Sequence, residues 1–214
     1  MTKRGLFITL EGPEGSGKTT QAGLLHEWLL AEGYDVLRTR EPGGTRIGER
    51  IRDVLHNPEH TEMAAQAEIL LYSAARAQLV SEVILPALAS GRCVLCDRYF
   101  DSTYAYQGYG RGLPLDELRE ITRFATMGLI PDVTLYLDLA PEVGLLRRVQ
   151  GGDEINRLDR ETLAFHARVH AGYLELVHQE PGRWVQIDAG DSVPEIQARL
   201  RAEIAARLAA WKAA

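Results

Sequence analysis

The chain has 214 residues, of which 45% are hydrophobic, and this is enough apolar material for one domain with a sizeable core. Its formal net charge of −6 and its pI near 5.6 argue against a nucleic-acid-binding surface, which would normally be basic. We see no apolar run that predicts a bilayer crossing, and the N-terminus reaches Glu11 too early for a signal peptide, so we expect a cytoplasmic protein without a membrane partner.

Five short apolar runs predict β-strands: Gly5–Leu10, Asp35–Thr39, Arg92–Cys96, Val133–Leu139 and Arg183–Ile187. Seven longer stretches predict helices: Lys18–Ala31, Arg46–Leu55, Thr61–Ala89, Leu115–Thr126, Pro141–Val149, Arg157–His178 and Val193–Trp211. Pro86 lies late in the third helix and predicts a kink or an end there. The alternation predicts an α/β fold in which a five-stranded parallel sheet has helices on both faces. We see no domain linker in the sequence, so residues 1–214 are predicted to form a single domain.

The segment between the first predicted strand and the first predicted helix contains G-x-x-x-x-G-K-T, from Gly12 to Thr19. Strand, glycine loop and helix are the context of a phosphate-binding P-loop, rather than of a chance glycine-rich turn. Lys18 would reach the β- and γ-phosphates of a nucleotide, and the Thr19 hydroxyl would ligate Mg²⁺. The predicted ATP site comprises Gly12, Pro13, Glu14, Gly15, Ser16, Gly17, Lys18, Thr19 and Thr20.

Three further segments should join the P-loop, because ligands of such sheets bind beyond the carboxyl ends of the strands. They are Arg40–Arg46 after the second strand, Asp97–Tyr109 after the third, and the chain that follows Val149. The charge on the first of them favours a ligand-binding role for Glu41 and Pro42 over an ordinary connecting loop.

Asp97 and Arg98 close the third predicted strand. An aspartate at this position can hold the Mg²⁺ shell, and the arginine can form a bidentate fork with phosphate. The alternative is a structural ion pair between Asp97 and a neighbouring arginine. Their place beside the P-loop favours the functional interpretation.

Two segments with tyrosines are candidates for recognition of a base. Tyr72 and Arg76 are spaced i, i+4 and share a helix face, which suits stacking plus hydrogen bonding, but from spacing alone core packing with a solvated charge is the favoured interpretation. Tyr104–Gly112 is rich in tyrosine and glycine, and we expect a mobile or closely packed loop there, with recognition or ordinary packing as its role.

The polar segment Gln150–Arg157 carries two glycines and is flanked by Arg147, Arg148 and Arg160. Such a segment can form a mobile lid, here residues 147–160, whose arginines close over a γ-phosphate and exclude water. A flexible connection between helices explains the same composition equally well.

Two pairs of potential metal ligands carry a weaker signal. Cys93 and Cys96 lie three apart on a predicted strand, so they face opposite sides and we expect two buried core thiols. His166 and His170 lie one helical turn apart without an evident third ligand, so a solvated helix face is the favoured interpretation.

Together these segments resemble thymidylate kinases of the bacterial type over essentially the whole chain. The resemblance is carried by Glu11–Thr20, Arg40–Thr45, Tyr72–Gln78, Asp97–Tyr99, Ala105–Gly108, Pro131–Asp138 and Pro141–Gly144. It implies a P-loop fold like that of nucleoside monophosphate kinases, transfer of the γ-phosphate of ATP to deoxythymidine monophosphate in dTTP biosynthesis, and a homodimer.

The resemblance also implies roles for individual residues. Tyr72 would stack on thymine and Arg76 would bond its edge, while Arg98 and Arg52 would hold the phosphate of the acceptor. The nucleoside pocket would be lined by Thr103, Tyr106 and Gln107. Glu14 would lie near the deoxyribose or the acceptor phosphate.

The predicted lid departs from this pattern. Similar bacterial lids often carry several alternating arginines before an Asp-Arg pair, whereas this chain has glycines and acidic residues there. Arg157 matches the final arginine, so we expect it to stabilise the γ-phosphate. Catalysis should rest on alignment and charge neutralisation by Lys18, Mg²⁺, Arg98 and lid arginines, because the acceptor oxygen is already an anion.

Other functions stay open at this level. The nearest is a kinase for deoxynucleosides or for a different nucleoside monophosphate. A small GTPase-like switch is weakened by the lack of an N-K-x-D motif, and a non-catalytic interaction protein would show no turnover of bound nucleotide.

Overall fold

The centre of the molecule is a sheet of five parallel strands in the order β2-β3-β1-β4-β5, in a computed structural model that describes residues 3–151 and 156–213. The strands are β1 (Phe7–Glu11), β2 (Val36–Arg40), β3 (Cys93–Asp97), β4 (Val133–Asp138) and β5 (Trp184–Asp188). All four pairings are parallel. The predicted α/β fold is confirmed, and each strand lies within about two residues of its predicted bounds.

Helices cover both faces of this sheet. They are α1 (Lys18–Ala31), α2 (Arg46–His56), α3 (Ala65–Leu79), α4 (Leu85–Ala89), α5 (Phe100–Thr103), α6 (Leu115–Thr126), α7 (Pro141–Gly151), α8 (Leu163–Gln179) and α9 (Val193–Ala213). Two π-helical segments, Val80–Ile84 and Tyr104–Gly110, and a 3₁₀ turn, Leu158–Arg160, complete the helical elements of the described residues.

The predicted helix Thr61–Ala89 begins only at Ala65 and is continuous to Ala89. The π-helical turn Val80–Ile84 carries the chain past Pro86, which cannot donate a backbone hydrogen bond, so the proline does not end the helical path. The 25-residue stretch Ala65–Ala89 is long and apolar enough for a membrane span, contrary to our expectation, but 44% of its most apolar window is buried. Its fully buried Leu79, Val80 and Ile84 identify it as a core helix.

The tyrosine- and glycine-rich segment is helical rather than a loop. Tyr104–Gly110 continues α5 as a π-helix, and its two glycines lie in tight contact with neighbouring helices. A Cβ on Gly108 would come within 2.5 Å of Leu115, and one on Gly110 within 2.7 Å of Phe165. These glycines therefore permit close packing, and the prediction of a loop is wrong because spacing alone does not show what they pack against.

The predicted helix Arg157–His178 is also divided. A 3₁₀ turn, Leu158–Arg160, precedes α8, whose first turn is capped by the Thr162 side chain accepting from the backbone N–H of Phe165. Side-chain capping of this kind competes with continuation of a helix and marks a new start.

Alternate residues of the strands pack into different hydrophobic clusters on the two faces of the sheet. Ile8, Leu10 and Cys93 pack with α1 and α9, whereas Phe7 and Cys96 pack with the helices around Val80–Leu88. Both thiols are free and buried. The prediction of two separate core thiols is confirmed, since a strand alternates its side chains between faces.

A buried ion pair fastens the start of β5 to α5. Arg183 donates to both carboxylate oxygens of Asp101 at 2.7 and 2.9 Å, with side-chain exposures of 8% and 0%. An Arg183→Ala change should lower the free energy of unfolding by about 3 kcal/mol or more, because it leaves the carboxylate of Asp101 buried and unpaired.

Urea unfolding of this variant measures the effect, and Arg119→Ala is the matched control. Arg119 pairs with Asp116 at 3.1 Å, but the side chains are 49% and 96% exposed, so its loss should cost no more than about 1 kcal/mol. Equal losses in the two variants would contradict the prediction.

Candidate active site

A cleft of about 920 Å³ opens at the carboxyl edge of the sheet, where β1, β2 and β3 end. It brings together most of the predicted site residues, namely Glu14, Gly15, Gly17, Lys18, Thr19, Thr20, Glu41, Pro42, Arg52, Tyr72, Arg76, Asp97, Arg98, Thr103, Tyr106 and Gln107. Its position follows the rule for ligand sites in parallel α/β sheets.

The glycine loop after β1 has the backbone shape of a phosphate cradle. Gly15 and Gly17 have φ angles of 70° and 85°, in the left-handed region that favours glycine. A Cβ on Gly15 would lie 2.0 Å from the carbonyl oxygen of Gly144, so this position also requires glycine for space. Because α1 begins at Lys18, its unpaired N-terminal amides face the loop and favour an anion there.

The Lys18 ammonium is folded back onto the loop. It donates to the carbonyls of Gly12 at 3.0 Å and Pro13 at 2.8 Å and to the Ser16 hydroxyl at 3.3 Å. Burial and the nearby Arg98 lower the pKa of Lys18 to about 8, although Glu14 opposes the shift. Gly12, Pro13 and Ser16 thus hold the Lys18 ammonium against the glycine loop.

Thr19, in the first turn of α1, meets Asp97 at the end of β3. The Thr19 hydroxyl donates to Asp97 Oδ2 at 2.7 Å. Asp97 therefore contacts the P-loop threonine, and the alternative of an ion pair with an arginine is not what the described residues show. No group of three or more His, Cys, Asp or Glu side chains in the described part of the chain could hold a metal ion. These two oxygens suit Mg²⁺ only if phosphate and water supply the remaining ligands, which is its usual coordination.

Arg98 lies between the P-loop and the helices behind it. Its backbone has a φ of 68°, which is uncommon for a residue with a side chain and is typical of strained functional positions. The guanidinium donates to Glu14 at 2.7 Å and to the carbonyl oxygen of Gly12 at 3.1 Å. Burial alone would raise the pKa of Glu14, but Arg98 and Lys18 outweigh it and lower the pKa to about 2.

Arg76 is not a solvated charge, because only 2% of its side chain is exposed. Its Nε donates to Glu41 at 2.8 Å, and Nη1 donates to the Thr103 hydroxyl at 3.0 Å. Tyr72, one turn earlier on α3, is half-buried and lines the same cleft. Glu41 thus holds Arg76 directly, a contact that the sequence interpretation did not anticipate.

Besides Arg98 and Arg76, Arg52 on α2 also lines the cleft. Arg52 donates to the carbonyl oxygen of Pro42 at 3.0 Å, which leaves further N–H groups for a ligand. Its neighbour His56 has a pKa lowered to about 4 by burial and by the charge of Arg52. At neutral pH His56 is therefore uncharged, and the arginines supply the positive charge of this wall.

Glu68 was missed at the sequence level. Only 1% of it is exposed, and its carboxylate accepts from Gln107 at 2.8 Å, from Arg111 at 3.1 Å and from Arg157. Because a carboxylate can only accept here, the amide nitrogen of Gln107 must face Glu68 and its carbonyl oxygen must face away. A glutamate one turn before Tyr72 on the same helix face is the signal that could have found it.

Arg157 does not line the cleft. Its guanidinium bonds Glu68 and the carbonyl oxygen of Leu55 at 3.1 Å, and the residue is 8% exposed. Of the predicted lid, positions 152–155 lie outside the described residues. Arg147 and Arg148 do line the cleft, where Arg147 donates to the carbonyl oxygen of Ala189 and Arg148 pairs with Asp159.

The histidine pair has no common ligand geometry. His166 is 2% exposed within α8, whereas His170 lies 2.7 Å from Asp138 at the end of β4. Neither the solvated face that we expected for His166 nor a shared metal site fits this arrangement.

Glu11 was also missed, although it is the one charged residue of β1. It is fully buried at the end of the strand and accepts hydrogen bonds from the backbone N–H of Tyr99 and from the hydroxyls of Ser102 and Tyr173. Burial, reinforced by Asp101 and opposed by Arg98, raises the pKa of Glu11 to about 7. A glutamate ending an otherwise uncharged strand beside a P-loop is a recognisable signal.

The comparisons with known proteins agree with one another. The family model described as thymidylate kinase matches residues 10–200. A thymidylate kinase of Roseiflexus sp. (strain RS-1) is 54% identical over 215 residues, which is 95% of each chain. A thymidylate kinase of Deinococcus radiodurans is 52% identical over 204 residues, which is 95% of this chain and 98% of its own. One of Synechococcus sp. (strain JA-3-3Ab) is 53% identical over 206 residues, with coverages of 96% and 98%.

Proposed function

Because this chain belongs to the thymidylate kinase family, we propose that it phosphorylates deoxythymidine monophosphate with ATP in the cleft described above. The observation that carries this assignment is a hydrogen-bond acceptor that two cationic side chains share. Lys18 Nζ and Arg98 Nη1 donate to the same carbonyl oxygen, that of Gly12, at 3.0 and 3.1 Å. A cation of the P-loop and a cation suited to a second phosphate thus converge on one point, as transfer between two phosphates requires.

The donor nucleotide would bind along the P-loop, with its β- and γ-phosphates on the loop amides and Lys18. Mg²⁺ would be held by the Thr19 hydroxyl and by Asp97, and when bound it would neutralise charge on the phosphate oxygens. Lys18 must then exchange its carbonyl contacts for phosphate oxygens, which are stronger acceptors because they are charged.

The acceptor would bind on the other side of Arg98. Arg98 and Arg52 would hold its phosphate, a role supported by their position in the cleft and by Glu14, which accepts from the Arg98 guanidinium at 2.7 Å. Thymine would stack on Tyr72 beside Arg76. With Thr103 and Tyr106 lining the nucleoside site, Gln107 can present its carbonyl oxygen to the imide N–H of the base, because its amide nitrogen faces Glu68.

The reaction requires alignment of the two phosphates more than it requires proton transfer. The attacking oxygen belongs to a phosphate that is already an anion, so a strong general base is unnecessary. Lys18, Arg98 and the metal would offset the negative charge that two approaching phosphates bring together. The cost of mutual repulsion is what the site has to overcome.

Among the arginines of the predicted lid, Arg147 and Arg148 already line the cleft. We propose that they approach the transferred phosphate. We expected Arg157 to stabilise the γ-phosphate. To do so, its guanidinium would have to leave Glu68 and bind the nucleotide instead. Its burial favours a role in holding Glu68 ionised instead.

We also propose that two copies of the chain associate through α3 and α6, in the cytoplasm. These helices pack against each other. Leu70 on α3, Phe124 on α6 and Met127 directly after α6 are 58%, 83% and 57% exposed. An exposed apolar patch of this kind marks an interaction surface. A second copy is the occupant that the family resemblance implies.

The first prediction concerns the reaction. Purified protein with MgATP should release ADP with deoxythymidine monophosphate and only weakly with other nucleoside monophosphates, and removal of Mg²⁺ with EDTA should abolish release. Lys18→Ala should lower turnover by about a hundredfold or more with the fold intact, because it removes charge needed in the transition state. A folded and fully active Lys18→Ala protein would contradict the mechanism, and turnover of a different acceptor would overturn the substrate.

The second prediction concerns the base. Arg76→Ala should lower kcat/KM for deoxythymidine monophosphate about 10- to 100-fold, as expected for loss of a charged hydrogen-bond donor, with the KM for ATP unchanged. The matched control is Arg183→Ala, which also breaks a buried ion pair but lies outside the cleft. Equal losses for both substrates, or an equal effect in the control, would count against the assignment.

The third prediction concerns association. The wild type should sediment as a dimer, and Phe124→Glu should sediment as a monomer, because a charge would be buried at the interface. Leu30→Glu is the control, since Leu30 is 48% exposed on α1. A monomeric wild type would overturn the proposed dimer.

A further inference from the structure

We propose that Glu11 is a positioning residue for Arg98, because it sets the direction of the two hydroxyl groups that accept hydrogen bonds from that guanidinium. The inference rests on the proposed function, in which Arg98 holds the phosphate of the acceptor. Glu11 itself makes no contact with Arg98 among the described hydrogen bonds and acts through its neighbours.

Glu11 is completely buried and both of its oxygens accept hydrogen bonds. Oε1 accepts from the backbone N–H of Tyr99 at 2.8 Å. Oε2 accepts from the Ser102 hydroxyl at 2.6 Å and from the Tyr173 hydroxyl at 2.8 Å. Burial raises the pKa of Glu11, whereas the hydrogen bonds from Ser102 and from the N–H of Tyr99 lower it and favour the ionised form, in which both oxygens accept.

The same two hydroxyls contact Arg98. Their oxygens lie 3.2 Å (Ser102) and 3.3 Å (Tyr173) from Nη1 of the guanidinium. A guanidinium can only donate, so each hydroxyl must turn a lone pair to Arg98 and its single proton elsewhere. The two hydroxyl oxygens also lie 3.0 Å from each other, so either could donate to the other instead. When Glu11 is ionised, its carboxylate accepts both protons and both hydroxyl oxygens are presented to Arg98 as acceptors.

Glu11 also holds the backbone next to Arg98. The φ of 68° at Arg98 costs free energy and persists only where surrounding contacts enforce it. The N–H of the following residue, Tyr99, donates to Glu11, while the N–H of Arg98 donates to the carbonyl oxygen of Leu10. The end of β1 thus fixes this turn from two adjacent positions.

This arrangement is costly for folding, which argues that it serves the site. A buried carboxylate loses its hydrogen bonds to water. In the described residues, only neutral donors replace those hydrogen bonds for Glu11. Packing alone would be served as well by an uncharged residue of the same size. The ionised carboxylate is needed because a neutral amide also carries N–H donors: a hydroxyl that accepts from the amide no longer donates to residue 11, and its orientation towards Arg98 is no longer fixed.

The experiment compares Glu11→Gln with the wild type by measuring binding of deoxythymidine monophosphate and of deoxythymidine, which lacks the phosphate. We expect the affinity for the monophosphate to fall about 10- to 100-fold, the cost of disturbing charge-assisted hydrogen bonds. The affinity for deoxythymidine and the KM for ATP should stay near the wild-type values, because the substitution lies outside the base site. The thermal midpoint of unfolding should not fall, because the substitution removes the cost of burying a charge.

The route through the hydroxyls is tested in a Ser102→Ala, Tyr173→Phe background. There the Glu11→Gln change should cost much less than in the wild type, since the groups through which it acts are absent. If Glu11→Gln does not fold, Ser102→Ala and Tyr173→Phe singly test the same route, and each should weaken the monophosphate but not deoxythymidine.

Three results would overturn the inference: unchanged affinity for the monophosphate in Glu11→Gln, equal loss for deoxythymidine, or an equal cost of Glu11→Gln in both backgrounds. A wild type that neither binds nor phosphorylates deoxythymidine monophosphate would overturn the proposed function instead.

Discussion

All five strands run in the same direction, and the arrangement of this molecule depends on that constraint. In a parallel sheet every strand delivers its following segment to one edge, so the P-loop, the turn after β2 and Asp97–Arg98 meet there although they are far apart in the chain. The return connections are helices, and these cover both faces. One edge therefore holds the polar groups, while the rest of the sheet can be apolar.

The meeting of these segments brings several cations close together, and neighbouring glutamates offset their repulsion. A cleft for two phosphates needs several cations, and cations placed close together repel one another and lose hydration. Glu14 pairs with Arg98 and Glu41 pairs with Arg76 in the cleft, and outside its lining Glu68 accepts from Arg111 and Arg157. Each carboxylate fixes the direction of an arginine before any ligand arrives, which lowers the reorganisation that binding requires.

Glu11 also helps to orient an arginine, but it does so indirectly. Its partners are neutral groups, and through Ser102 and Tyr173 it acts on a guanidinium that Glu14 contacts directly. Tyr173 comes from α8, more than 70 residues beyond Arg98 in the chain. The site thus depends on a helix that contributes no predicted ligand contact and would be passed over in a search for motifs alone.

Local sequence patterns predicted the strands, most of the helices and the P-loop, because apolar periodicity and glycine spacing depend only on residues close together in the chain. They also indicated that Cys93 and Cys96 face opposite sides, since this follows from strand geometry. They failed where a contact between distant residues decides: the π-helical Tyr104–Gly110, the burial of Arg157 against Glu68 and the burial of Arg76 against Glu41. The sequence by itself determined the elements and the edge at which they meet, because these depend on short-range geometry. Only the tertiary structure decided which carboxylate holds which arginine, because that depends on side chains brought together by packing.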